Sequence, residues 1–257
     1  MRGDELGNPL LEVNGRVATI ILNRPEKANS LTPEDLLWLR DCFSKINADP
    51  DIVVLQFKSQ GKHFCSGFDI SALDDAGEEA RSIEFGDVAD ALEALRPVTI
   101  AAIQGGVFGG ATDLCLACDF RLGTPQAEMS MPAVRLGLHY YQGGLERYIS
   151  RLGLNAAKRL FLTAERIDAA TMLDIGFLTQ LVDPDDLEPS LASLTAGLVQ
   201  MAPLPLMAMK RHLNHLARGV LDPRQLRQAV LLAQNSDDHK EAVTAWKKKR
   251  VPVFKGS

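Results

Sequence analysis

Apolar positions along the chain change period several times. LLEV and RVATIIL flank Asn14-Gly15 as two strand-like runs, predicting a hairpin closed by a two-residue type I′ turn, whose central positions need φ > 0 and favour Asn-Gly. NRPEKANSL then reads as a loop. Thr32 is placed to cap a helix, with Pro33 at its first position and Asp35 three residues after the cap, and Leu36, Leu39, Phe43 and Ile46 continue at helical spacing. IVVLQF (52–57) and VTIAAI (98–103) are continuous apolar runs of strand length, predicted to be buried on both faces. Between them come the loop GKHFCSGFDIS, a mobile acidic stretch at 74–79 and a helix over 80–95. GGVFGG is a glycine-rich turn, ATDLCLACD a short helix, and DFRLGT a returning strand. Strands alternating with helices predict an α/β core built by right-handed crossovers. Beyond about residue 150 the period is helical throughout, at 154–162, 168–175, 186–201, 204–217, 223–234 and 237–249. The expected division is a β-rich core over 1–200 and a helical C-terminal region over 201–257.

Bulk composition narrows the partners. The chain has 257 residues, 46% hydrophobic and 24% charged, which suits one large domain or a domain with a smaller appendage. A net charge of −5 argues against a nucleic-acid or anionic-membrane surface. No apolar run approaches the roughly 20 residues that span a bilayer, and MRGDELGNPLLEV lacks the apolar centre of a secretion signal. The four cysteines are too sparse for a disulfide scaffold, so a reducing, cytoplasmic setting is expected. Cys115 and Cys118 resemble half of a zinc site, but no second ligand pair is visible; they read as two buried thiols on one helix, and no metal is expected.

Two glycine loops follow buried strands. Phe64-Cys65-Ser66-Gly67-Phe68-Asp69 lies beyond the strand at 52–57, and Gly105-Gly106-Val107-Phe108-Gly109-Gly110 lies beyond the strand at 98–103 and opens a helix. Both therefore sit at carboxyl ends of strands, where open α/β sheets place ligands. Backbone amides from the two loops can converge on one oxygen, and each such donor to a developing oxyanion contributes roughly 2.7–4 kcal/mol. Asp113 stands three residues after Gly110, on the same helix face. Its alternative role is to complement the helix dipole in the first turn. A third stretch, MSMPAVRLGLHYYQGG (129–144), reads as a loop carrying His139, Tyr140 and Tyr141.

Taken together, NRPEKANSL, FCSGFDI, IQGGVFGGATDLCLACDFRL, MPAVRLGL, ERIDAATMLDIGFLTQLV and AWKKKRVPVFKG resemble the crotonase family, the enoyl-CoA hydratase/isomerase superfamily, over nearly the whole chain. The resemblance implies a crotonase-like ββα spiral core with a helical C-terminal trimerisation region, assembling as a trimer or a dimer of trimers. It implies an acyl-CoA thioester substrate, with coenzyme A entering as part of it and no separate cofactor. The oxyanion hole then falls to the amides of Ser66 and Gly110. Asp113 stands at the first catalytic glutamate of the family's hydratases, and Ala133 at the second, so one acid is missing. His139 and Tyr141 are candidate substitutes; Tyr141 aligns with an aspartate of the dienoyl-CoA isomerase branch. The competing reading has the tyrosines lining an acyl pocket and His139 bonding locally. Binding positions implied by the resemblance are Lys27, Ala28, Phe64, Ser66, Gly67, Phe68, Asp69, Ile70, Phe108, Gly110, Ala133, Phe254 and Lys255, with Leu73 beside Phe68 and Phe108 on the acyl path. With Asp113 alone, double-bond isomerisation makes the least demand. Hydration helped by His139 or Tyr141 comes next, then decarboxylation or another lyase step. A non-catalytic acyl-CoA-binding or assembly paralogue is the alternative of another class.

Overall fold

The computed structural model describes residues 7–72 and 84–257. The hairpin forms, with its turn one residue later than expected. β1 (Leu10–Asn14) and β2 (Val17–Leu22) pair with Asn14 opposite Val17, leaving Gly15-Arg16 as the loop. Gly15 has φ +55° and Arg16 keeps a negative φ. That is the pattern of a type II′ turn, which asks for the left-handed region at its first central position only.

From β2 the sheet runs in parallel through β3 (Val54–Ser59), β4 (Val98–Ile103), β6 (Phe120–Gly123) and β9 (Gln180–Leu181), with β1 antiparallel at the edge. The run predicted at 52–57 is buried from Ile52, but the strand begins at Val54 and extends to Ser59. Side chains alternate between two apolar layers. Leu55, Phe57, Ala101 and Ile103 join the larger core beneath α1 (Pro33–Ala48), α2 (Phe85–Glu93) and α3 (Gly110–Ala117). Val54, Ile100 and Ala102 face the opposite way, onto Leu187 and Leu191. Burial on both faces explains why these strands read as unbroken apolar runs. A small second sheet joins β5 (Val107–Phe108), β7 (Glu128–Ser130) and β8 (Ile167–Asp168).

α1 carries the predicted capping box: Thr32 accepts from the Asp35 amide, and Asp35 accepts from that of Thr32. One helix escaped the sequence reading. α4 (Gln142–Leu152) begins inside the stretch taken as a loop. Gly143-Gly144 looked like a chain break, but Gly144 serves close packing: a Cβ there would lie 2.2 Å from the Tyr140 ring. After it come α5 (Leu154–Thr163), α6 (Ala169–Asp174), α7 (Leu187–Val199), α8 (Pro203–Ala217), α9 (Pro223–Asn235) and α10 (Asp237–Lys247), close to the expected spans. The helix expected over 80–95 is seen as Phe85–Glu93. Leu73, the acidic stretch 74–79 and the start of that helix lie outside the described residues.

Candidate active site

The loop after β2 supports the first glycine segment. Asn29, φ +54°, is buried and ties the chain after β2 to the loop after β3: its Oδ1 accepts from the Arg24 amide, and its Nδ2 donates to the carbonyls of Gln60 and His63. The next residues run beside Leu31 like a parallel strand. Leu31 N–H donates to Gly67 O, and Asp69 N–H donates to Leu31 O. In such a ladder alternate amides face opposite sides, so the Phe68 N–H turns away from Leu31.

This ladder changes the expected oxyanion pair. The Ser66 amide donates to the Ala28 carbonyl at 2.9 Å and is already committed. The Phe68 and Gly110 amides, by contrast, have no backbone acceptor among the described residues. Their loops are in close contact, since a Cβ on Gly67 would lie 2.7 Å from Phe108 O and 3.2 Å from Gly110 N. Gly67 has φ +91°, a conformation that favours glycine. Gly110 opens α3, where the first amides have no partner in the helix, and it too needs its hydrogen: Phe85 Cε1 would be 2.7 Å from a Cβ there.

Asp113 is completely buried. Arg147, from the unforeseen α4, grips it with two bonds, Nε to Oδ1 at 2.8 Å and Nη2 to Oδ2 at 2.6 Å. The Tyr141 hydroxyl donates to the same Oδ2 at 2.6 Å. Burial, the charge of Asp113 and the bond to it raise the Tyr141 pKa well above its ordinary value, so this phenol stays protonated. Tyr140 stacks on Tyr141, with ring centroids 4.3 Å apart, and their hydroxyls are 3.2 Å apart. Tyr140 itself leans on Tyr148 and Phe161, behind the site.

Other expected residues separate. Ala133 is buried at the start of a short 3-10 turn, residues 133–136. His139 is exposed, its Nδ1 held 2.8 Å from the Tyr140 carbonyl, and none of its contacts reaches Asp113. Phe64 is a core residue, edge-on to Phe57. The Phe108 ring faces His63 and the guanidinium of Arg166 rather than an acyl path. Asp69 caps the 3-10 turn Ile70–Ala72, and its bonds from Ser71 lower its pKa. Lys27 is exposed beside Ala28. Near the C-terminus, the backbone of Lys255 and Gly256 is bound by Asp238 at the head of α10, so Phe254 and Lys255 are not joined to the glycine loops within one chain. Cys65 and Cys118 are buried thiols pushed up to about 12 by desolvation.

The residues not foreseen are Arg147, Phe85 and the Phe68 amide as a donor. Arg147 had a signal, since Leu145, Tyr148 and Leu152 recur at helical spacing just past the stretch read as a loop.

Comparison with known proteins gives a consistent result. The sequence matches a family described as enoyl-CoA hydratase/isomerase over residues 12–257. A crotonyl-CoA hydratase of Syntrophomonas wolfei is 30% identical, with 96% of this chain and 97% of that protein covered. A peroxisomal Delta(3,5)-Delta(2,4)-dienoyl-CoA isomerase of Arabidopsis thaliana is also 30% identical, with 91% of each covered. The crystal structure of an enoyl-CoA hydratase from Bacillus anthracis superposes with a TM-score of 0.88 at 28% identity, covering 97% of this chain and all of the other.

Proposed function

Because the chain belongs to the enoyl-CoA hydratase/isomerase family, we propose that it shifts a double bond in an acyl-CoA thioester, with Phe68 and Gly110 holding the enolate and Tyr141 with Asp113 moving the proton. The observation that carries this reading is the 2.6 Å hydrogen bond from Tyr141 to a buried Asp113, in a chain that has Ala133 where the family resemblance puts a second acid. As the Cα–H bond of a 3-enoyl thioester breaks, its electron pair delocalises onto the carbonyl oxygen between the two free amides. The proton is taken at Tyr141 Oη while the phenolic proton passes to Asp113 Oδ2. The reverse transfer at Cγ delivers a proton and leaves the 2-enoyl thioester. No group beyond the thioester and these residues is called upon. Hydration would need a second group to hold water, and Tyr141 is the candidate left near Asp113 once His139 faces its own backbone.

A second reading has its own support. Both carboxylate oxygens of Asp113 are occupied by donors, which weakens it as a base and suits a reaction that needs only a proton donor. In decarboxylation of a β-carboxyacyl thioester, loss of carbon dioxide leaves the enolate and Tyr141 supplies the α-proton. Incubation of an acyl-CoA panel in heavy water separates the two. Isomerisation gives deuterium at Cα or Cγ of recovered 2- and 3-enoyl thioesters, lost in Tyr141→Phe and Asp113→Asn. Exchange undiminished in both variants would remove the dyad from the mechanism.

Self-association as a trimer or hexamer belongs to the same reading. Leu213, Leu216, Leu231, Leu232 and Trp246 are exposed on α8, α9 and α10, the last of them 86% so. Light scattering on the purified chain measures the assembly.

A further inference from the structure

We propose that Arg147 is a positioning residue for proton transfer: it fixes Asp113 as an ionised acceptor and so sets the Tyr141 hydroxyl as the donor in their shared hydrogen bond. This deepens the reading above and rests on it.

The geometry is a two-pronged grip in a dry place. Arg147 and Asp113 are both without exposure at their side chains, and Nε and Nη2 meet the two carboxylate oxygens separately. Planar guanidinium matches carboxylate in this way as lysine does not. A carboxylate sealed from water and stripped of its cation is strongly disfavoured as an anion and takes up a proton. A protonated Asp113 could then donate at Oδ2, and the Tyr141 oxygen would accept. The direction of the bond would reverse, and Tyr141 could no longer hand its proton to Asp113.

Charged neighbours reach Arg147 from every side. From α2, Asp90 Oδ1 lies 2.5 Å and Glu93 Oε2 3.3 Å from Nη1. On α4, Arg151 pairs with Glu93 at 3.0 Å, and Glu146 meets Arg218 at 3.5 Å. Arg218, just beyond α8, also pairs with Asp90 and Glu93. Among the described residues, Tyr140, Tyr148 and Cys115 are the other titratable groups nearby, all buried or nearly so and all raised by that burial. Arg151 therefore serves Glu93, Arg218 serves Asp90, Glu93 and Glu146, and among the described residues Asp113 has Arg147 as its one cationic partner.

Arg147→Gln and Arg147→Lys test this in the full-length protein. Infrared titration follows the protonated carboxyl band, assigned to Asp113 by its absence from Arg147→Gln/Asp113→Asn. In Arg147→Gln the band is expected at neutral pH, and the acid limb of kcat/KM for proton exchange should move up by about one unit or more. In Arg147→Lys the charge remains but the fork is lost, so Asp113 stays ionised while kcat falls about tenfold at unchanged KM. A folded Arg147→Gln with Asp113 still ionised at neutral pH would overturn the assignment. If that variant does not fold, unchanged kcat in Arg147→Lys would overturn it instead. The infrared readout needs no substrate. A band that appears as expected, in a protein whose exchange never depended on Tyr141, would put the failure in the proposed reaction and leave the role of Arg147 toward Asp113 standing.

Discussion

The site has two walls made in different ways. One is backbone: the segments 66–68 and 108–110, pressed together where glycine leaves room, present amides whose direction is set by strand and helix geometry. The other is side chain: Asp113, Tyr141 and Arg147 come from α3, a loop and α4, and meet only when three elements pack. A backbone wall tolerates change in its own side chains and fails when an amide is lost. A side-chain wall couples catalysis to stability, because each member satisfies another in a buried place.

The largest expected effect breaks the side-chain wall. Asp113→Asn leaves Arg147 buried without its main counter-ion, and losing one partner of such a pair costs about 3–5 kcal/mol. Arg147 keeps Asp90 and Glu93, so the loss should fall toward the lower end, read as a drop in the denaturant midpoint. No change in midpoint would mean that the pair contributes nothing net.

Next comes the backbone wall. Gly110→Pro removes one amide and is compatible with the first position of α3, where proline fits a helix. The ring meets Phe85, so the comparison is made in a Phe85→Leu background. The activation free energy should rise by about 2.7–4 kcal/mol with KM little moved, while the melting temperature stays close to that of Phe85→Leu alone. Equal losses in activity and stability would erase the distinction between the walls.

The two walls also differ in how far the sequence revealed them. Glycine loops after apolar runs are local features, so both segments were legible together with the alternation of strands and helices in the core. Which amides stay free was not: that Ser66 is bonded and Phe68 is not depends on pairing with Ala28 and Leu31, 38 and 37 residues away along the chain. Through the resemblance, the sequence marked Ala133 and Asp113 as a missing and a present acid. The grip of Arg147 was hidden, because Gly143-Gly144 carries the turn signature and here serves to let Tyr140 and Asp90 approach α4. The hairpin turn slipped for a similar reason. Asn-Gly favours one register, and the pairing of Asn14 with Val17 selects the other.

Tyr141→Phe is the intermediate case. It deletes one hydroxyl and keeps the ring that packs on Tyr140 and Gly86. Turnover should fall about 10²-fold, the lower range for a positioned acid–base group, and stability by about 1 kcal/mol for one hydrogen bond. Stopped-flow assays with a matched denaturant curve give both numbers. A larger loss of stability than of turnover would make Tyr141 a structural partner of Asp113 and return the proton to another group.

His139→Gln is expected to do least, and that sharpens the boundary of the side-chain wall. His139 belongs to the same HYY run as Tyr141 yet is exposed, and its one bond goes to the neighbouring carbonyl. Exposed substitutions away from buried networks stay within about 0.5 kcal/mol, so turnover should remain within about twofold across the pH range. A drop of tenfold or more, with an acid limb that follows imidazole titration, would place His139 inside the proton path. Sequence adjacency to Tyr141 would then have been a better guide than the hydrogen bonds that now set the two residues apart.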